Sequence, residues 1–69
     1  MQKRTIKIND YKYIFFQKLT IEDLLVYLGF NINVILINYN GALISKELIR
    51  KVFMKNNDYL EIITIAGGG

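Results

Sequence analysis

Sixty-nine residues, 52% of them hydrophobic, describe one small globular domain, near the size at which a chain holds itself together without metal or disulfide. The absence of Cys and His excludes a disulfide framework, a thiolate or imidazole metal site, a cysteine nucleophile and the usual general base, so no catalytic and no metal-binding residue is expected. Nine basic and six acidic residues leave a net charge of +3, too little to imply a nucleic-acid partner without a matching motif.

Thr5-Ile6-Lys7-Ile8-Asn9 alternates polar and apolar at period two, which predicts a strand with Ile6 and Ile8 on its buried face. Asn9-Asp10 supplies a tight turn, and Tyr11 to Phe16 carries the β-branched and aromatic residues of a second strand, so the chain opens with a β-hairpin. Lys3, Arg4, Lys7, Lys12 and Lys18 crowd this first third. Interrupted by Ile6, Ile8, Ile14 and Phe15, they read as the solvent ends of strand residues. Tyr11, Tyr13 and Phe16 would suit stacking on a single strand, but no RNP, KH or glycine-loop signature accompanies them, and no nucleic-acid partner is expected.

Thr20 to Gly29 is the clearest helix. Thr20 is a good N-cap, Glu22 and Asp23 place negative charge in the first turn, and Gly29 stands where a left-handed residue ends a helix. Ile21, Leu24, Leu25 and Leu28 form one apolar stripe that has to lie against a sheet. Val34-Ile35-Leu36-Ile37 reads as a strand buried on both faces, which places it at the sheet's centre. The longest apolar candidate, Ile32 to Ile37, falls far short of the roughly 20 residues of a membrane span, and Met1-Gln2-Lys3-Arg4 leads into no apolar signal region, so no membrane partner is expected.

Asn40-Gly41 makes a turn and Ala42-Leu43-Ile44 returns as a short strand. Ser45 caps one or two helical turns through Lys46 to Ile49, Lys51 to Met54 is a short extended piece, and Lys55-Asn56-Asn57-Asp58 is a polar turn. Tyr59 to Ile65 is the last strand. By period two, Leu60, Ile62 and Thr64 point toward the helix while Glu61, Ile63 and Ile65 point outward, a candidate partner-binding patch. After it comes Ala66 and then Gly67-Gly68-Gly69, a thin run that can lie extended in a narrow channel because glycine has no Cβ. Residues 1–66 are expected to form the domain and 67–69 a flexible tail.

The order is ββαβ, short strands, β: an α+β domain with a mixed sheet of four to five strands and one main helix across it. A hairpin followed by a crossover helix lets the final strand pair in parallel with the first. This is the β-grasp architecture of ubiquitin.

With the strand ending Ile6-Lys7-Ile8-Asn9, the helix entry Leu19-Thr20-Ile21-Glu22-Asp23-Leu24-Leu25, the Ile37-Asn38-Tyr39-Asn40-Gly41 turn region, Asp58 before the last strand and the Gly68-Gly69 end, the chain resembles the ThiS/MoaD family of ubiquitin-like sulfur carriers, and within it the ThiS branch. The resemblance implies that Gly69 is the adenylation and thiocarboxylate site, with Gly67 and Gly68 giving reach. It implies partners rather than bound cofactors: a ThiF-like adenylating enzyme that uses ATP, a persulfide sulfur donor, and a ThiG-like thiazole synthase as acceptor. The carrier would be a co-substrate and not an enzyme, a monomer when free, in the cytoplasm or, if organelle-encoded, the plastid stroma. Two alternatives stay open: a MoaD-like small subunit of molybdopterin synthase, and a noncatalytic β-grasp module binding RNA or protein.

Overall fold

The computed structural model describes residues 2–65. The first hairpin pairs β1 (Arg4–Ile8) with β2 (Tyr11–Phe15). Its two-residue turn works because Asn9 accepts a positive φ of 55°, a conformation Asn tolerates better than most residues. Asn9 also extends the sheet: its N–H donates to the Leu60 carbonyl at 2.9 Å and its Oδ1 accepts the Ile62 N–H at 2.8 Å.

The helix α1 (Ile21–Tyr27) begins with a full capping box. Thr20 Oγ1 accepts the Asp23 N–H at 3.0 Å, and Asp23 Oδ2 accepts the Thr20 N–H at 3.2 Å, which satisfies two otherwise orphaned donors. At the other end Gly29 takes φ 90°, with its N–H on the Val26 carbonyl and the Phe30 N–H on the Leu25 carbonyl. That is a Schellman end, and it turns the chain back toward the sheet. Ile21, Leu24 and Leu25 are buried in one cluster with Ile6, Ile8, Phe15, Ile35, Ile37, Leu60 and Ile62; Leu28 lies half-buried against it.

A single 3₁₀ turn (Ile32–Val34), held by Asn31 Oδ1 accepting the Asn33 N–H, leads into β3 (Ile35–Tyr39). Asn40 and Gly41 both take positive φ, 51° and 93°, the pattern of a type I′ hairpin turn, and β4 (Ala42–Leu43) pairs back on β3. Ser45 caps the one-turn α2 (Lys46–Ile49), which delivers Ile49 to the core. The stretch expected as extended after it makes one bridge, Phe53 to Thr20, while Met54 is buried and its N–H donates to the Leu19 carbonyl. Finally β5 (Tyr59–Thr64) runs parallel to β1 and antiparallel to β3.

The sheet order β2-β1-β5-β3-β4 confirms the β-grasp arrangement and corrects one expectation. The central strand is β5, not the Val34 to Ile37 run. In β3 only Ile35 and Ile37 are buried, while Leu36 is exposed. The reason is that helices cover one face of the sheet only, and a four-residue apolar run carries no sign of whether a second layer exists.

Candidate functional site

The register fixes what the uncovered face presents. Along β5 and the residue after it, Leu60 and Ile62 are buried and Glu61, Ile63 and Ile65 are exposed, as period two requires; Thr64 lies on the helix side but is exposed where the sheet ends. Ile63 stands directly opposite Leu36, and Glu61 opposite Asn38, whose Nδ2 donates to the Glu61 carboxylate at 3.3 Å. Leu43 stands opposite Asn38 from the other side. Partners in register share a face, so Leu36, Leu43, Ile63 and Ile65, with 44%, 67%, 43% and 42% of their surface exposed, form one apolar patch at the end of the sheet where β5 finishes. Leu36, expected buried, and Leu43 were not expected on this patch. The Asn38 that follows Leu36 at spacing two was the available signal that this side of β3 meets water.

The chain leaves the sheet under control. The Ile65 N–H donates to the Val34 carbonyl at 2.9 Å, so the ladder runs one residue past β5. Gly67, Gly68 and Gly69, expected to carry the chemistry, lie outside the described residues.

A second cluster lies at the opposite end of β5. Asp58 is buried and accepts three hydrogen bonds: from the Lys55 N–H at 2.7 Å, the Tyr39 O–H at 2.8 Å and Asn40 Nδ2 at 3.0 Å. Asn40 in turn accepts the Tyr59 N–H through Oδ1 at 2.8 Å, and the Asp58 carbonyl accepts the Lys7 N–H at 3.0 Å. Burial, and then donation to Asp58, push the Tyr39 hydroxyl above its ordinary pKa; the Lys55 ammonium, 3.3 Å from that hydroxyl, is itself raised, chiefly by this hydrogen bond. The cluster locks the turn that feeds the central strand. Six strand residues, about 20 Å, separate it from Ile65.

Among the described residues no group of three or more acidic, Cys or His side chains could hold a metal, and no helix is long and apolar enough to cross a membrane. What the site offers is a contact surface beside a strand end.

Comparison with known proteins agrees with this geometry. Over residues 3–69 the chain matches the model of the ThiS family. It is 36% identical over 66 residues to a protein of Trieres chinensis named uncharacterized protein ycf40, covering 96% of this chain and 90% of that one. Proteins of the same name from Porphyra purpurea, 37% identical, and Pyropia yezoensis, 32% identical, each align over 65 residues, 94% of this chain and 92% of theirs. Among solved structures, the thiamine biosynthesis protein (ThiS) from Geobacter metallireducens shares the fold with a TM-score of 0.78 at 20% identity, covering 94% of this chain and 99% of that one. With a family match that spans nearly its whole length and a ubiquitin-like sheet and helix to go with it, the chain belongs to the ThiS family of sulfur carriers.

Proposed function

We propose that the chain carries sulfur for the thiazole of thiamine as a thiocarboxylate on Gly69. A carboxylate is a poor electrophile, so a ThiF-like enzyme joins it to the adenylyl group of ATP with release of pyrophosphate. The terminal sulfur of a persulfide donor then displaces AMP to give an acyl disulfide, and a second thiol cleaves its S–S bond, leaving the thiocarboxylate and a disulfide on the donor side. The resulting thiocarboxylate gives its sulfur to an intermediate held by a ThiG-like thiazole synthase. The carrier is a co-substrate in each step; ATP is bound by the adenylating enzyme, and no cofactor by the carrier.

The observation that carries this reading is the family match running through Gly69. The exposed patch of Leu36, Ile63 and Ile65 supports it, because threading the glycines into a channel orders them, and a folded contact surface has to offset that loss. Glu61, beside the patch, gives the contact a polar rim. Gly67 and Gly68 fit a narrow channel because neither has a Cβ.

The test is intact mass. After incubation with the adenylating enzyme, ATP and a persulfide donor, the chain gains the mass difference of sulfur replacing oxygen, located by fragmentation at Gly69. An unchanged mass with an enzyme that charges its other carriers refutes the proposal.

A further inference from the structure

The outer face of the sheet divides in two, and its second half holds an anomaly. Lys7 on β1 and Lys12 on β2 are directly opposed, and both are exposed. The Lys7 N–H donates to the Asp58 carbonyl, and the Asn9 N–H to that of Leu60, so alternate residues of β1 direct their backbone toward β5. Lys7 and Lys12 therefore form a non-hydrogen-bonded pair, the kind in which the two side chains come closest. Like charges there destabilise a sheet. Among the described residues neither lysine is in an ion pair: the one found, Arg50 with Glu22, joins α2 to α1, and Glu61 is engaged with Asn38.

Beside the two lysines is a depression lined also by Thr5, Asn57 and Tyr59, with Lys7 Nζ 6.0 Å from the centre of the Tyr59 ring. The other basic residues at this end, Lys3, Arg4, Lys18 and Lys55, line a separate depression. The Arg4 guanidinium donates to the Phe16 carbonyl at 2.9 Å, and Lys18 stacks on Phe53 at 4.7 Å.

We infer that Lys7 and Lys12 form an electrostatic docking point for an acidic surface patch on the adenylating enzyme. The inference rests on the carrier reading and adds the chemistry of its partner. The uncovered face then makes a two-part contact, apolar at Leu36 and Ile63 and basic at Lys7 and Lys12. Since Lys7 is aligned with Tyr59, the partner's carboxylates lie about 20 Å along the β5 direction from the point where Ile65 leaves the sheet. Carboxylates entering between the lysines convert a repulsive pair into two attractive ones. The repulsion that the free carrier tolerates is thereby released on binding.

The experiment reverses one charge in the full-length chain. Lys12→Glu replaces repulsion with attraction inside the carrier, so its melting midpoint rises by about 2–5 °C. In pyrophosphate exchange with the adenylating enzyme, KM for the carrier increases about tenfold and becomes less sensitive to salt, while saturating carrier restores the wild-type rate. Lys12→Gln falls between the two. An unchanged KM for Lys12→Glu, with the wild type exchanging normally, overturns the docking point and leaves the carrier reading standing. Failure of the wild type to exchange at all overturns both. Tight binding of single-stranded RNA that Lys12→Glu abolishes would reassign the pair to a nucleic-acid partner and overturn the inference.

Discussion

Placing a carboxylate on either of two adjacent isoleucines separates the core from the contact face. Ile62 is 9% exposed, opposite the buried Ile37, in the strand that β1 and β3 both flank. Ile62→Asp gives up about 1.5–3 kcal/mol of apolar burial and sets a carboxyl group without a partner in the core, which costs about 2 kcal/mol even when it is neutral and more when it is charged. A 69-residue domain has about 3–10 kcal/mol of stability in all. Ile62→Asp therefore removes most or all of it, and far-UV circular dichroism at 25 °C shows a largely unfolded chain. Ile63 is 43% exposed and stands opposite Leu36 on the open face. Ile63→Asp loses about 1 kcal/mol through strand preference and partial burial, so it stays folded with a midpoint lowered by about 4–8 °C. Its defect shows in pyrophosphate exchange, as a raised KM. A folded, cooperative Ile62→Asp, or an unfolded Ile63→Asp, would refute the register on which the site assignment stands.

Among the described residues the core reaches Ile62 and the ladder Ile65; removing Gly68 and Gly69 is expected to leave the melting midpoint nearly unchanged and to abolish adenylation, and persistent exchange by the truncated chain would show that Gly69 is not the acceptor. Asp58→Ala strands the three donors now on its carboxylate and lowers stability by about 2–4 kcal/mol in urea unfolding; a loss below about 1 kcal/mol would mean that the cluster is dispensable. The raised pKa of Tyr39, due first to burial and then to its bond to Asp58, favours the protonated phenol in the folded state. Its stabilisation is complete below the unfolded tyrosine value of about 10 and is lost as pH rises through the higher folded value. Tyr39→Phe therefore flattens the alkaline fall in melting midpoint and removes a late step from the tyrosinate absorbance titration; an identical alkaline profile would contradict the assignment. Thiocarboxylated carrier supports thiazole phosphate formation with thiazole synthase, whereas transfer to a dithiolene precursor alone would move the chain to the molybdopterin branch and leave the carrier chemistry intact.

Most of the fold could be read from local chemistry. The helix is legible because Thr20, Asp23 and Gly29 each do a job that few other residues do as well, and the Asn40-Gly41 turn because two successive positive φ angles favour that pair. The outward set on the last strand follows from period two once the sheet has a wet face. Two things were not legible. Sheet order depends on long-range pairing, so nothing within Val34 to Ile37 reveals that β5 lies between it and β1. The part played by Asp58 depends on Tyr39 and Asn40, some eighteen residues distant in the chain, and a polar turn looks the same whether or not its carboxylate is buried. The role proposed for Gly69 comes from resemblance, since three glycines have no side chain to suggest a chemistry.

The position of β5 has a consequence for how the protein is made. The strand synthesised last in the domain is the middle one, and until it emerges the β1–β2 hairpin and the β3–β4 pair have no backbone hydrogen bonds to join them into one sheet. Folding therefore waits until β5 has left the ribosome, and the contacts that close the domain span most of the domain's length, a topology that slows the search. A message cut short before β5 yields a product with an open core, exposed to proteases, that also lacks the glycines. Synthesis order thus clears incomplete chains: one stable enough to persist has been translated through β5.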